Sequence, residues 1–392
     1  MALLKSTGYG LAALVGLYAI FISLLTIPSV QNQVIYLNHV TQTWFQDLNT
    51  PEQWGFLRNQ VTPFILPTPD GECLYAWHLL PPGLYAHHEE ELLQEPPGLV
   101  RDVRERLSFK LLRDDPSSLL VLYFHGAAGT LGSGWRPPSY RAMSVGAPGR
   151  IHTVAIDYRG FGSSSGFPSE QGLLTDATTL AGWAMEDAGI PASRIVIFAQ
   201  SLGTAVALSL VHHMATRPEP TFFSGLIMVA PFADVESLTA TYRIAGTIPI
   251  LDPVARFPRV LAWLNTFILS KWTSNSKIEA FVRLCESMKG EEARYHISII
   301  HAKDDTTIPW SHSEHLFWHA VNASLPAGIG YAELEEEKGL SRIDRGAGGW
   351  VVERRTRKGV LREEIMEFGV HDRIMSYPVV SLAVARAFGS LG

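Results

Sequence analysis

The chain is poor in cysteine and in net charge. Its 392 residues include two cysteines, Cys73 and Cys285, which are too few for a disulfide framework and leave one bridge as an open alternative. The net charge is −6, so the chain lacks the basic excess on which nucleic-acid binding depends. We find no internal repeat. These absences argue against a disulfide-stapled scaffold and against a nucleic-acid-binding protein.

The amino-terminal region contains very little charge. No Asp, Glu, Lys or Arg occurs in residues 6–46. The apolar stretch 9–28 would be about 30 Å long as a helix, which is the thickness of a bilayer core. It predicts one transmembrane helix, and because Lys5 and the terminal amine precede it, the rest of the chain is expected across the membrane from the cytosol. A cleaved signal peptide is the alternative interpretation.

What the chain does have is a serine at a point where a strand turns into a helix. The apolar run 194–198 leads into residues 199–203, AQSLG, and residues 204–213 have a helical pattern. This is the layout of a nucleophile elbow, in which a sharp turn exposes the serine Oγ at the top of a sheet. Small residues on either side let strand and helix approach, although Ala199 stands where glycine is usual. Ser201 is the predicted nucleophile.

A glycine-rich turn follows an earlier apolar strand. Residues 119–124 predict a buried strand that ends in residues 125–129, HGAAG. Such a turn leaves backbone N–H groups without partners. Acyl transfer needs donors of this kind, because negative charge develops on the carbonyl oxygen. The N–H groups of Ala127 and of Leu202, just after the serine, form the predicted oxyanion hole.

Two later segments supply carboxylates and a histidine. A predicted strand ends just before Asp304 and Asp305, and a loop before the last predicted helix, residues 379–388, carries His371. In a catalytic triad the imidazole takes the serine proton, and a buried carboxylate holds the imidazole in the right tautomer. The chain order of Ser201, acid and histidine is the order found in α/β-hydrolases.

Four segments resemble the membrane-anchored branch of the α/β-hydrolase superfamily, which contains monoacylglycerol and lysophosphatidylserine lipases. They are YFHGAAGT at 123–130, IDYRGFGS at 156–163, QSLGTA at 200–205 and HAKDD at 301–305. The resemblance covers roughly residues 115–390, with a gap after Ala323. The family spacing between a small residue, the acid and an aliphatic-proline pair matches Ala302 and residues 308–309, and it favours Asp305 over Asp304.

The resemblance implies a serine hydrolase that needs no metal or other cofactor. Its expected catalytic residues are Ser201, Asp305 and His371, and its expected substrates are glycerolipids or lysophospholipids with one acyl chain. The resemblance also places the enzyme in the endoplasmic reticulum membrane, with its catalytic domain in the lumen. An esterase, thioesterase or peptidase with the same residues is an alternative. So is a non-catalytic scaffold, against which the intact triad argues.

The alternation of strands and helical stretches predicts an α/β-hydrolase fold, with a mainly parallel sheet and helices on both faces. Two antiparallel strands, Val61–Pro67 and 72–80, are expected at the first edge of this sheet. The predicted organisation is a membrane anchor at 1–30, strands and a linker at 31–115, and a catalytic domain at 116–392 with a helical cap at about 231–294.

Residues 260–269 stand out within the predicted cap. They are apolar nearly all round, unlike an ordinary surface helix. Two interpretations are open: the segment packs on the core, or it lines an acyl-chain pocket and contacts the bilayer beside the anchor.

Three further features lie toward the carboxyl terminus. His312, His315 and His319 share a face of a predicted helix at 310–321, but no Glu or Cys completes a zinc site, so we interpret them as partly buried helix histidines. Asn322 begins an N-glycosylation sequon, and its modification would report a lumenal location. Residues 333–358 mix charges with glycines and predict a flexible insert before a final strand near 364–368.

Overall fold

The computed structural model describes residues 2–241, 243–244, 248–249, 251–290 and 292–389. Three predicted parts of the chain have a few residues outside the described ranges. They are residue 1 in the anchor, residues 242, 245–247, 250 and 291 in the cap, and residues 390–392 at the end of the catalytic domain. The helices are α1 (Ala2–Leu24), α2 (Pro28–Tyr36), α3 (Pro82–His87), α4 (Glu89–Gln94), α5 (Leu107–Asp114), α6 (Arg136–Met143), α7 (Glu170–Gly182), α8 (Leu202–Ala215), α9 (Val235–Thr241), α10 (Asp252–Ala255), α11 (Pro258–Asn265), α12 (Ser274–Ser287), α13 (Ser311–Ser324), α14 (Tyr331–Ser341) and α15 (Pro378–Ala387). The strands are β1 (Val61–Pro67), β2 (Cys73–Leu79), β3 (Leu119–Phe124), β4 (Ile151–Ile156), β5 (Ile195–Gln200), β6 (Gly225–Val229), β7 (Arg243–Ile244), β8 (Ile248–Pro249), β9 (Tyr295–Ala302), β10 (Ile343–Asp344), β11 (Trp350–Arg355) and β12 (Gly359–Met366).

One sheet of ten strands organises the fold. Its order is β1-β2-β4-β3-β5-β6-β9-β12-β11-β10, and β7 and β8 form a separate hairpin. The six strands from β4 to β12 in this order run parallel. Strands β1 and β2 pair antiparallel at one edge, and β11 and β10 continue antiparallel at the other. The predicted mainly parallel sheet and its antiparallel first edge are therefore confirmed.

Strand β5 illustrates why helices cover both faces of the sheet. Its side chains alternate, because successive residues of a strand point to opposite faces. Ile195 and Ile197 belong to the apolar core that the sheet shares with α7, α8, α12 and α13. Val196 and Phe198 belong to a second core, formed with α6 and α15. Both sides of this strand are fully buried, as expected for a parallel sheet between two layers of helices.

The topology gathers several loops at one edge of the sheet. Strands β3, β5 and β9 run parallel and end at Phe124, Gln200 and Ala302. Their carboxyl ends therefore lie side by side, and the loops that follow such strand ends are where open α/β sheets bind ligands. The glycine-rich turn, the serine and the acid follow these three ends directly.

The carboxyl-terminal insert differs from its prediction. Residues 333–358 are largely ordered into α14, β10 and β11, and the final strand β12 begins at Gly359 rather than near residue 364. The charges that suggested a loop are paired instead: Lys338 Nζ lies 2.8 Å from Glu363 Oε2, and Arg354 Nη1 lies 2.6 Å from Glu337 Oε2. The prediction of a flexible insert was wrong, because paired charges hide the apolar pattern of the helix and strands in this region.

The amino-terminal helices also differ from their prediction. Helix α1 ends at Leu24, and α2 starts at Pro28 after a bend of 94°. Proline favours the first position of a helix and pushes the residue before it out of the helical region, as the extended Ile27 illustrates. Among the described residues no single helix is both long and apolar enough to cross a bilayer, although 12–24 and α2 together meet that criterion.

Helix α11 contradicts the first interpretation of residues 260–269, in which the segment packs on the core. None of its residues is fully buried, and Trp263 is 57% exposed. Its neighbours Phe257 and Leu269 are 63% and 65% exposed. The helix therefore does not pack into the core.

The two cysteines are apart. Cys73 is exposed and Cys285 is buried, and both are free thiols. The open alternative of a disulfide bridge is excluded.

Candidate active site

Ser201 occupies the sharp turn between β5 and α8. Its backbone has φ 52° and ψ −122°, a conformation that a non-glycine residue adopts only under local strain. The Ser201 N–H donates to the Val229 carbonyl on the neighbouring strand at 3.0 Å. Gly203 makes the turn feasible, since a Cβ there would lie 2.1 Å from the Phe124 oxygen. Ala199 is fully buried, so its methyl group is accommodated where glycine is usual.

His371 bridges the serine and one of the two candidate acids. Its Nε2 lies 3.0 Å from Ser201 Oγ, and its Nδ1 lies 2.7 Å from Asp305 Oδ2. Burial lowers the pKa of His371, but the neighbouring Asp305 carboxylate outweighs burial, so the pKa is raised above its ordinary value. The structure thus brings Ser201, His371 and Asp305 into one hydrogen-bonded chain.

Asp305 is held by four donors as a carboxylate. Its Oδ1 accepts the N–H groups of Thr307 and Ile308 at 2.8 and 3.0 Å, and its Oδ2 also lies 3.1 Å from His301 Nε2. Burial alone would raise the pKa of Asp305, yet the interactions with His371 and His301 prevail and hold it well below its usual range. Asp305 is therefore ionised across the neutral pH range.

Asp304 has a different partner. Its Oδ1 accepts the backbone N–H of Val370 at 2.8 Å, next to His371 in the chain. The structure thus joins Asp305 to the imidazole, whereas Asp304 contacts the loop that carries it.

The predicted oxyanion donors lie beside the serine. Among the described residues the Ala127 N–H has no hydrogen-bond acceptor. Leu202 is the first residue of α8, so its N–H has no acceptor within its own helix. Both residues line the same cavity as Ser201 and His371. Two backbone donors at a helix start and a glycine-rich turn suit an oxyanion.

The cavity above the serine is mostly apolar. Its volume is about 380 Å³, within the range of roughly 300–1,000 Å³ that small ligands occupy. A cleft of about 850 Å³ beside β1 is larger, but neither the three residues of the predicted triad nor the two predicted oxyanion donors line it. Apolar side chains that line the cavity are Leu25, Val34, Ile35, Leu37, Val40, Phe232, Val235, Leu238, Leu251 and Ile308.

Comparisons with known proteins identify similar sequences. The family model described as "Serine aminopeptidase, S33" (Hydrolase_4) matches residues 142–324. Lysophosphatidylserine lipase ABHD12 of Danio rerio is 29% identical over 305 residues, which are 78% of this chain and 70% of the relative. The same lipase of Xenopus tropicalis is 28% identical, with 80% and 71% covered.

A solved structure supports the fold. The crystal structure of an alpha-beta hydrolase from Vibrio vulnificus superposes with a TM-score of 0.53, at 14% identity, over 93% of this chain and 94% of that chain. This chain is a serine hydrolase with the α/β-hydrolase fold. It is homologous to the lysophosphatidylserine lipases.

The hydrolase contains a buried arginine behind the glycine-rich turn that the sequence did not reveal. Arg136 is 6% exposed, and its guanidinium donates to the carbonyls of Gly126, Ala128 and Thr130 at 3.1, 2.7 and 2.5 Å. It thereby fixes the backbone on both sides of Ala127, whose N–H is a predicted oxyanion donor. An isolated arginine in a helix carries no sequence signal for such contacts.

Gln200 is a second residue of the hydrolase that sequence reasoning missed. Its Nε2 donates to Asp372 Oδ1 at 3.1 Å and to the His371 carbonyl at 3.3 Å. These bonds tie the end of β5 to the loop that carries the histidine. The only sequence signal was its position directly before Ser201.

The three histidines of α13 and the sequon residue Asn322 lie outside the cavity. His312 accepts the Ala233 N–H at 3.3 Å, His315 stacks on Tyr331 and His319 lies 3.2 Å from Glu279, so the three histidines have separate partners. No group of three or more metal-binding side chains occurs in the part of the chain that the structure describes. Asn322 is half-buried in α13, and its Oδ1 accepts the Ile329 N–H at 2.9 Å.

Proposed function

We propose that this hydrolase cleaves the acyl ester of a glycerolipid with one acyl chain, either a monoacylglycerol or a lysophospholipid. The observation that carries the proposal is the apolar cavity of about 380 Å³ that opens onto Ser201. Transfer of a hydrocarbon chain from water to such a lining is favourable, because it removes apolar surface from water. The similarity to lysophosphatidylserine lipases supports the same class of substrate.

In the proposed mechanism, Ser201 Oγ attacks the ester carbonyl while His371 Nε2 takes its proton. Asp305 keeps the imidazole in the tautomer that accepts this proton and stabilises the imidazolium. The N–H groups of Ala127 and Leu202 stabilise the oxyanion. When the C–O bond breaks, His371 returns the proton to the leaving alcohol, and a water activated by His371 then hydrolyses the acyl-enzyme.

The membrane belongs to the same proposal. We infer that residues 1–30 form an anchor in the endoplasmic reticulum, with the catalytic domain at 116–392 and its cap at about 231–294 in the lumen. Support comes from the exposed apolar side chains of α1, such as Leu14 at 65% exposure, and from the lack of charge in residues 6–46. Lys5 before the apolar stretch favours this orientation.

A peptidase activity fits the cavity less well. An aminopeptidase needs a carboxylate to bind the substrate's ammonium group. Among the described residues that line the cavity, Asp372 is the one carboxylate, and its Oδ1 already accepts from Gln200. We therefore favour a neutral ester with an apolar chain over a peptide.

The test is lipid hydrolysis by the full chain and by Ser201→Ala. The purified wild type should react covalently with a fluorophosphonate probe and release fatty acid from monoacylglycerols or lysophospholipids. The variant should lose labelling and at least about 10³-fold of the turnover, because the nucleophile is gone. Persistent labelling of the variant would refute Ser201 as nucleophile, and a wild type active only on peptides would refute the substrate class.

A further inference from the structure

Helix α2, which follows α1, is bound tightly to the cap. Gln31 is buried and makes a reciprocal pair of bonds with cap backbone: its Nε2 donates to the Phe267 carbonyl at 2.7 Å, and its Oε1 accepts the Leu269 N–H at 3.3 Å. The fully buried Tyr36 donates from its hydroxyl to Ser270 Oγ at 2.9 Å. Buried polar groups with satisfied partners fix the orientation of an element.

The residues after α2 are bound to the glycine-rich turn. The N–H groups of Ala128 and Gly129 donate to the carbonyls of Tyr36 and Val40 at 2.9 and 2.6 Å. Ser133 Oγ donates to the Thr41 carbonyl at 2.7 Å. The segment 31–43 therefore spans the distance from the cap to the predicted oxyanion hole and is fixed at both ends.

Between these two attachments the segment forms one side of the cavity. Val34 and Ile35 of α2 line it, together with Leu25 before the helix and Leu37 after it. The cap residues Val235 and Leu238 also line the cavity. None of residues 260–269 lines the cavity, so that part of the cap does not supply this wall.

We propose that α2 forms one wall of the acyl-chain subsite and so helps to determine which chain lengths are cleaved. The ligand of this subsite is a single hydrocarbon chain whose ester carbonyl lies at Ser201. The inference rests on the proposed lipid substrate, and it adds that the segment after the membrane helix is a working part of the active site. Van der Waals contact with Val34 and Ile35 would be made by methylene groups beyond the carbonyl.

The test places a large ring in this wall. Val34→Trp reduces the space between α2 and the cap, and Gln33→Trp is the matched control, since Gln33 is exposed on the same helix and does not line the cavity. Full-length proteins in detergent are assayed with p-nitrophenyl butyrate and palmitate, and with the fluorophosphonate probe. In Val34→Trp the ratio of kcat/KM for palmitate to that for butyrate should fall by about ten-fold or more, because each excluded methylene costs binding. The control should keep the wild-type ratio.

A second variant, with a smaller side chain, tests the same wall if Val34→Trp does not fold. Val34→Ala enlarges the same wall and should shift the preference toward longer or bulkier chains. A palmitate-to-butyrate ratio that stays at the wild-type value in both Val34 variants would overturn the proposal. The failure of the proposed function would have another signature: a wild type that the probe does not label, or that is labelled but cleaves no long-chain ester.

Discussion

At the scale of single residues, the two adjacent carboxylates after β9 have separate partners. Asp305 accepts from His371 Nδ1 at 2.7 Å, whereas Asp304 accepts from the Val370 N–H at 2.8 Å. In the sequence, the family spacing was the one argument that favoured Asp305 over Asp304 as the acid of the triad. Geometry now provides a physical argument, because only the carboxylate bound to the imidazole can hold its tautomer.

The first prediction compares the two amide variants. Asp305→Asn should lower kcat by about 10⁴-fold, because an amide NH₂ stabilises the wrong imidazole tautomer. Asp304→Asn keeps an oxygen that can accept from Val370 and should lose less than about ten-fold. The measurement is kcat on a short ester, with thermal unfolding as the control for folding. Equal losses would mean that Asp305 does not orient the base.

The pH dependence of activity follows from His371. Its pKa is raised above the ordinary value of 6.5 by Asp305. Catalysis needs the neutral imidazole, so activity is lost as the pH falls through the raised pKa. We predict that the acid limb of kcat/KM has its midpoint above pH 6.5, and that the residual activity of Asp305→Asn has a lower midpoint. An acid midpoint at or below 6.5 in the wild type would contradict this.

Arg136 is predicted to act as a positioning residue for the oxyanion donors. A lysine retains the charge but lacks the planar fork that contacts the carbonyls of Gly126, Ala128 and Thr130. Arg136→Lys should lower kcat by about 10²-fold, the effect of removing one oxyanion donor, with little change in KM. The rate of fluorophosphonate labelling should fall in parallel, because the phosphonyl oxygen uses the same donors. A higher KM at unchanged kcat would argue for a substrate-binding role instead.

At the scale of elements, the elbow was predictable and the carboxyl-terminal strands were not. Strand β5 is a continuous apolar run that leads into small residues, so its period and its end were both visible in the sequence. Strand β12 contains Glu363 and Glu364, both fully buried, which no apolar pattern would reveal. Their burial depends on partners distant in the chain, Lys338 and Arg345. The bend at Pro28 is a similar case, since the apolar stretch continues across it while the helix is interrupted.

The pair between α14 and β12 yields a prediction about stability. Lys338 lies 2.8 Å from Glu363, and burial raises the pKa of Glu363 to about 7. Lys338→Met removes the cation that opposes the burial of Glu363, so the carboxyl must either take up a proton or stay ionised without a partner, and the free energy of unfolding should fall by about 3–5 kcal/mol. The double variant Lys338→Met with Glu363→Gln removes both charges and should lose less. Denaturant unfolding in detergent measures both losses, and a single variant as stable as the wild type would show that the pair is dispensable.

At the scale of the whole molecule, helix α1 and the cap both expose several large apolar side chains. Helix α1 exposes Leu14, Val15 and Leu17, and the cap exposes Phe257 and Trp263. Large exposed apolar patches mark contacts with partners or membranes. The direct bonds between Gln31 and the cap backbone mean that the cap contacts α2, the helix that follows α1. Contact of the cap with the bilayer stays a prediction on this basis.

The orientation in the membrane is the last prediction. Lys5 lies before the apolar stretch, and residues 6–46 contain no charge, so the positive-inside rule places the catalytic domain in the lumen. In intact microsomes a carboxyl-terminal epitope should resist added protease, and detergent should make it sensitive. A cytosolic marker digested in the same sample is the control. Asn322 gives a weaker readout, because its side-chain oxygen is bonded to Ile329 and the residue is half-buried. A glycosidase-sensitive mass lost in Asn322→Gln would add support, whereas digestion of the epitope without detergent would place the domain in the cytosol.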